Sequence, residues 1–336
     1  MTDLEVKLIE DFKGGKEIFL EKSLLIISGL KSEKEIETYE QKLDQIHGGF
    51  VTKQQAKGQT SWSPSLRYMH STRAKHLFEY LWNVKPRRCN SNFLLADVID
   101  AQLSPEVNQK VGSCVGLTSL YTVLGLREGL DLTILVSDSH IVNKLSVDGN
   151  IYHIDNTDPL GFDYDLGEKY FLEYPAIYLL GNVLNSRGMA QERAGDLQRA
   201  EEDYHKAIMI NPNYPNGYNN RGNIKLKRAD YRGAIRDYDW AIELYGQLTE
   251  AYYNRGIAKE GLGDHNGAIQ DFDKAIELNP EDADTYWRRG IVRETLGDYN
   301  GAIEDFEKVS KLDPESETRI VHLKQRAERR RKDLGA

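Results

Sequence analysis

The chain has little cysteine, no long apolar run and no excess of positive charge. Its 336 residues contain only Cys89 and Cys114. Two thiols are too few for a secreted disulfide scaffold, so the expectation is free thiols in a reducing compartment rather than a bridge. No window reaches the apolar length a membrane helix needs. The opening Met1-Thr2-Asp3-Leu4-Glu5 is acidic and lacks the basic-then-apolar order of a signal peptide. A net charge of −9 and a pI near 5.5 argue against nucleic-acid or membrane-surface binding. The expectation is a soluble cytoplasmic protein of two or three domains, each half long enough to bury a core.

Self-similarity fills the second half. Gly188, Gly222, Gly256 and Gly290 recur at one constant step, and Ala200, Ala234, Ala268 and Ala302 keep it. So do Tyr204, Tyr238, Phe272 and Phe306, followed by Ala207, Ala241, Ala275 and Val309. Pro212, Pro280 and Pro314 close three units, and Gly246 stands in the second. Gly195-Asp196, Ala229-Asp230, Gly263-Asp264 and Gly297-Asp298 mark a turn inside each unit. Small residues suit a close helix crossing, the aromatic fills the gap, and Pro stops the second helix. The pattern resembles the tetratricopeptide (TPR) repeat, a helical hairpin of this length, over residues 181–316. Residues 317–334 then read as a charged capping helix with Ile320, Leu323 and Ala327 on one face.

A second series pairs Arg187, Arg221, Arg255 and Arg289 with Asp203, Asp237, Asp271 and Asp305, each Asp at the same separation from its Arg. It reads either as a ladder for an acidic peptide or as an internal ion pair in every unit. The internal pair is favoured, because a ligand site does not need the same Asp beside each Arg. The inner face of the first helices would carry Asn182, Asn185, Asn216, Asn219, Asn220, Tyr253, Asn254 and Trp287. Asn can grip a peptide backbone as donor and acceptor, and it is a poor helix former, so this face is the expected protein- or peptide-binding surface. A plainly solvated face is the alternative. The basic run Lys324–Lys332 reads as the exposed side of the cap rather than a nucleic-acid site.

The first half is less regular. Residues 1–47 read as helical, with a capping box at Ser32-Glu33-Lys34-Glu35 and a stop at Gly48-Gly49. Residues 48–71 read as a polar loop, Thr72–Val84 as a helix stopped by Pro86, and Asn92–Ala101 as a short helix. Cys114–Glu128 is apolar nearly all round, the mark of a buried central helix, with Ser113 as N-cap and Gly129 as C-cap. After a strand over Leu132–Ser137 come two more, His140–Val147 and Asn150–Asn156, joined by Asp148-Gly149, a strong hairpin signal. A two-residue turn pairs Val147 with Asn150. Counting back sets Val142 opposite Asp155 and His140 opposite Thr157, so His140 and Asp155 become diagonal neighbours on one face.

That register assembles a candidate catalytic series of Cys114, His140 and Asp155. A thiol at a helix N-terminus beside an imidazole ionises readily. His140 would take and return its proton, Asp155 would fix the imidazole tautomer, and the Cys114 amide would supply one oxyanion donor. Gln109 and Asn108 are candidates for a second. Each residue alone reads as structural: a small buried thiol, a strand histidine, a strand carboxylate. His153 is a rival base, and His140, His153 and Asp155 a rival metal set, although Lys144 on that face and the spacing of Cys114 disfavour a metal.

Gly112-Ser113-Cys114, Ser139-His140 and Tyr152-His153-Ile154-Asp155-Asn156-Thr157 resemble the transglutaminase-like superfamily, a papain-related fold. The stretch Asn92–Gly125 resembles its bacterial branch, in which this domain precedes TPR repeats. The resemblance implies an α+β transglutaminase-like domain plus an all-α TPR solenoid. It implies an active Cys114, His140 and Asp155, and amide hydrolysis or acyl transfer on a peptide or protein through a thioester. Its domains would be 1–178, 179–316 and 317–336, with no cofactor. Because domains of that branch can lose the catalytic Cys, the alternative is a non-catalytic TPR scaffold or adaptor with a degenerate transglutaminase-like domain.

Overall fold

The computed structural model describes residues 3–14, 16, 18–56, 67–84, 94–105, 113–137, 140–147, 150–157 and 171–333. The protein is mostly helical, with an α+β N-terminal region and helix pairs beyond it. It divides into two compact units, Met1–Pro212 and Asn213–Ala336. The first unit therefore contains the first of the repeated helical hairpins.

Among the described residues of the first unit, six helices precede the sheet: α1 (Asp3–Lys13), α2 (Leu20–Ile27), α3 (Glu33–Ala56), α4 (Arg67–Val84), α5 (Leu95–Leu103) and α6 (Cys114–Arg127). The strands are β1 (Leu132–Val136), β2 (Ile141–Val147), β3 (Asn150–Ile154) and β4 (Leu172–Pro175). They form one antiparallel sheet in the order β3-β2-β1-β4. The expected hairpin register holds, with Val147 opposite Asn150 and Asn143 opposite Ile154. The Asp148-Gly149 turn itself lies outside the described residues.

Two expectations for the helices fail. Helix α3 does not stop at Gly48-Gly49 but runs on to Ala56, and α4 begins at Arg67, so every described residue of 48–71 is helical rather than loop. Gly49 is inside α3 for a packing reason. A Cβ there would collide with the Tyr80 hydroxyl of α4, and the neighbouring Phe50 ring lies 5.7 Å from that of Tyr80. A glycine that brings two helices together looks, in sequence, like a glycine that ends one. The short helix also starts later than Asn92, at Leu95.

Helix α6 is the centre of the unit. Leu117, Leu120, Tyr121 and Leu124 have no exposed surface, and the helix packs against α4, α5 and the sheet. Ser113 caps it, its Oγ accepting from the Gly116 amide at 3.4 Å. Gly129 follows with φ of +73°, where a β-carbon is unfavourable.

The first hairpin is α7 (Leu179–Arg193) and α8 (Leu197–Ile210). The second unit repeats it as α9 (Pro215–Lys227) with α10 (Tyr231–Leu244), α11 (Thr249–Gly261) with α12 (His265–Leu278), and α13 (Ala283–Thr295) with α14 (Tyr299–Leu312). It closes with α15 (Glu317–Asp333). Each second helix is capped by the turn aspartate: Asp196, Asp230, Asp264 and Asp298 accept from the amides of Arg199, Gly233, Gly267 and Gly301. Each recurrent glycine faces the aromatic of its own hairpin, Gly188 on Tyr204, Gly222 on Tyr238, Gly256 on Phe272 and Gly290 on Phe306.

The Arg–Asp ladder is internal to the hairpins, as favoured above. The Nε and Nη2 of Arg187, Arg221, Arg255 and Arg289 donate to both carboxylate oxygens of Asp203, Asp237, Asp271 and Asp305, at 2.6–3.1 Å. In the second unit the third guanidinium nitrogen ties neighbouring hairpins, Arg255 Nη1 donating to Asp239 at 2.7 Å and Arg289 Nη1 to Asp273 at 2.5 Å.

Candidate active site

The nucleophile position is set by the start of α6. Cys114 is its first residue, half-exposed and free of any disulfide. Its amide belongs to the first turn, whose N–H groups have no carbonyl within the helix to bind. Cys89 and the oxyanion candidates Asn108 and Gln109 lie outside the described residues.

His140 and Asp155 stand just beyond the ends of β2 and β3, not within the strands. Ser137 holds the turn before β2: its amide donates to the His140 carbonyl at 2.9 Å, and its Oγ accepts from the His140 amide at 3.0 Å. Beyond β3, Asp155 folds its carboxylate back, and its Oδ1 accepts from the Thr157 amide at 2.8 Å and the Thr157 hydroxyl at 2.6 Å. This local turn ends the strand at Ile154, two residues short of the expected Asn156. The other oxygen, Oδ2, accepts from His140 Nε2 at 2.7 Å.

The imidazole has a second partner, the Cys114 thiol, within hydrogen-bonding reach. Since Asp155 occupies Nε2, the nitrogen left for the sulfur is Nδ1. The hydrogen bonds to Asp155 and then to Cys114 raise the His140 pKa to about 9, against the opposing pull of burial. Burial pushes the Asp155 carboxyl up, but hydrogen bonds from His140 and Thr157 outweigh it and hold the group below its ordinary value. His140 and Asp155, singled out from sequence, are thus hydrogen-bonded to each other, and the Cys114 thiol acts on the same imidazole.

The rival base is placed elsewhere. His153 lies across from Lys144 in the ladder, and Lys144 binds Glu173 at 2.5 Å. Among the described residues no group of three or more His, Cys, Asp and Glu is placed to hold a metal.

Sequence reasoning missed four polar residues behind the site. Thr118, Thr122, Asn143 and Asn156 are buried and bonded to one another or to nearby backbone. Their only signal was a break in apolar runs: two threonines in α6 and one asparagine in β2.

The expected binding face divides. Asn182 and Asn185 are 4% and 6% exposed and are not an open surface. The first half of α7, Leu179–Asn185, is buried, the helix packing against α8, α2 and α6, and Asn182 spends its amide on the Tyr178 carbonyl at 3.2 Å. In the second unit Asn219 is also buried, its Oδ1 without a hydrogen-bond partner. Asn216, Tyr253 and Trp287 are half-exposed. Arg288 lies over the Trp287 ring at 5.1 Å and hydrogen-bonds Tyr253, while Asn254 donates to Asn223 at 3.0 Å. The basic run of α15 is largely spent on α13 and α14: Arg326 on Glu294, Lys324 on Glu307 and Arg331 on Asn300.

Comparison with known proteins supports the repeats. The tetratricopeptide-repeat family matches residues 181–214, 249–282 and 283–316. Residues 181–316 are TPR repeats, modules that bind proteins and peptides. No curated protein matches the chain. Among solved structures, MamA from Desulfovibrio magneticus RS-1 is 27% identical, with a TM-score of 0.38 over 40% of this chain and 76% of its own. YrrB, a TPR protein with an unusual peptide-binding site, is 19% identical, with a TM-score of 0.41 over 45% of this chain and 77% of its own. The first TPR domain of Spaghetti (RPAP3), bound to an HSP90 peptide, is 24% identical, with a TM-score of 0.34 over 34% and 92%. At such TM-scores none of these bears on what this chain binds.

Proposed function

We propose that the chain is a cysteine-dependent amide hydrolase or acyltransferase of the transglutaminase-like type, with the TPR repeats as its protein-binding arm. The observation that carries this reading is the His140 Nε2–Asp155 Oδ2 hydrogen bond at 2.7 Å, with the Cys114 thiol among the groups that raise the pKa of the same imidazole. A buried carboxylate on Nε2 leaves Nδ1 to exchange a proton with the sulfur. The thiolate attacks the amide carbonyl carbon, forming a C–S bond, and the oxyanion meets the Cys114 amide at the helix N-terminus. The imidazolium delivers its proton to the departing nitrogen, the C–N bond breaks, and a thioester remains. Water or an amine, its proton taken by His140, then attacks the thioester and restores the thiol. An imidazole whose pKa is raised to about 9 holds its proton at neutral pH, which suits it to protonate a poor leaving group.

The partner would be a protein or peptide, held on the half-exposed Asn216, Tyr253 and Trp287 of α9, α11 and α13. A free, half-exposed thiol suits a reducing cytoplasm. The second reading, a scaffold with a degenerate domain, is favoured by one fact: the matched family accounts for the repeats alone. Labelling with an acylating, thiol-directed peptide probe separates them. Enzyme chemistry predicts a covalent adduct on the intact chain, lost in Cys114→Ala and strongly slowed in His140→Ala. An adduct rate unaffected by His140→Ala leaves the scaffold.

A further inference from the structure

The four polar residues behind the site form a directed chain. Asn156 Nδ2 donates to Asn143 Oδ1 at 2.9 Å. Asn143 Nδ2 donates to Thr122 Oγ1 at 2.7 Å, and Thr122 Oγ1 donates to the Thr118 carbonyl at 2.6 Å. Thr118 adds its own hydroxyl to the Ile141 carbonyl at 3.3 Å. All three side-chain bonds of the series run the same way, from the turn after β3 through β2 to α6, and bonds so aligned polarise and strengthen one another. Asn143 and Asn156 are 0% and 2% exposed, so no solvent competes for them.

The termini of this chain touch the site by covalent adjacency. Asn156 follows Asp155. Ile141, whose carbonyl is held by Thr118, follows His140. Thr118 lies one helical turn after Cys114. Building on the catalytic reading above, we infer that Asn143 and Thr122, with Asn156 and Thr118, are positioning residues that keep the thiol, imidazole and carboxylate in register.

The need for such a device follows from the helix. Helix α6 is apolar on most sides, and apolar contact has no direction, so packing alone would let it slide along β2 by a fraction of an ångström. A displacement of that order is enough to spoil proton transfer between Sγ and Nδ1. Hydrogen bonds with fixed donors and acceptors remove that freedom, because breaking one would strand a buried amide. An apolar residue at 143 would fill the core as well; it would not fix the register.

The test uses the full chain with Asn143→Leu, Thr122→Val and Thr122→Ser. Among the described residues the titratable groups acting on the imidazole are Cys114 from α6 and Asp155 beyond β3, so the His140 titration reads their placement. In Asn143→Leu and Thr122→Val, the His140 midpoint followed by NMR should fall from about 9 toward that of a free imidazole. Alkylation of Cys114 by iodoacetamide at pH 6 should slow about tenfold, one unit of protonation equilibrium. Thr122→Ser, which keeps the hydroxyl, should restore both. If Asn143→Leu does not fold, Thr122→Val, which removes one hydroxyl at nearly constant volume, carries the test. Folded variants with the parent His140 midpoint and alkylation rate would overturn the inference, making the network a packing feature only. Should the parent chain alkylate no faster than its His140→Ala variant, the catalytic reading falls and this inference with it, a result visible without any variant at 143 or 122.

Discussion

Arg187 of α7 donates through Nη2 to Glu5 of α1 at 2.7 Å, across 182 residues of sequence. The same guanidinium holds Asp203 of its own hairpin and, through Nη1, the Ile27 carbonyl at the end of α2. Lys206 of α8 adds a bond to Glu5 at 2.9 Å. Where Arg255 and Arg289 bind an aspartate of the hairpin before them, Arg187 binds α1 and α2. These two helices therefore serve the first hairpin as a preceding repeat would.

Glu5→Leu should accordingly cost about 1–3 kcal/mol, the price of leaving buried donors short of a partner. Urea unfolding of the full chain checks this. The same geometry separates two fragments. One starting near residue 213 should fold as a cooperative helical species. One starting near 178 should carry a loosened first hairpin, because Leu179, Leu180, Val183 and Leu184 lose the cover of α2 and α6. Hydrogen exchange in α7 and α8 would show it.

The His140–Asp155 pair makes stability depend on pH in a stated direction. His140 is raised from 6.5 to about 9 in the folded state, so its contribution is complete below the unfolded value of 6.5 and is lost as pH rises through about 9. Asp155 is lowered, so its contribution holds above the ordinary carboxylate range and is lost as pH falls through its folded value. Denaturation midpoints at pH 6, 7.5 and 9 should therefore decline more steeply for the parent than for His140→Gln. Parallel declines would mean that the pair is not coupled to folding.

The recurrent glycines allow a controlled pair of substitutions. A Cβ at Gly256 would lie 2.6 Å from Phe272 Cε1, whereas one at Gly246 meets nothing nearer than the Ile242 carbonyl at 3.7 Å. Gly256→Ala should destabilise the second unit by about 1–3 kcal/mol through overpacking. Gly246→Ala should be neutral to within about 0.5 kcal/mol, as surface changes away from special features are. Thermal unfolding of the two variants side by side gives the comparison.

One hairpin turn departs from its siblings. Gly195, Gly263 and Gly297 have φ of +80° to +83°, and the equivalent Ala229 adopts +60° with a side chain that disfavours it. Ala229→Gly should raise stability by about 1 kcal/mol, the cost of a left-handed non-glycine residue. A lowered melting midpoint would show that chain entropy outweighs the strain.

Much of this architecture is legible in the residues because its causes are local. The constant Arg–Asp step joins two helices of one hairpin, and the two-residue turn dictates the β2–β3 register that sets His140 beside Asp155. What escaped has distant causes. Gly49 belongs within α3 because Tyr80 arrives from another helix. Asn182 and Asn185 are buried by α2 and α6, which no pattern within the repeat reports. Asn143 shows in sequence only as a break in an apolar strand; its partners Thr122 and Asn156 are brought near only by folding.

The ladder in the second unit also makes the array extensible. Residues 249–282 contain both halves of the inter-hairpin link, Arg255 to grip the unit before and Asp273 to be gripped by the unit after. A duplicate of this segment inserted after residue 282 would present its Arg to the existing Asp273 and its own Asp to Arg289. The length of the arm is therefore a free variable of the design: the same segment can be copied without a new interface having to be invented.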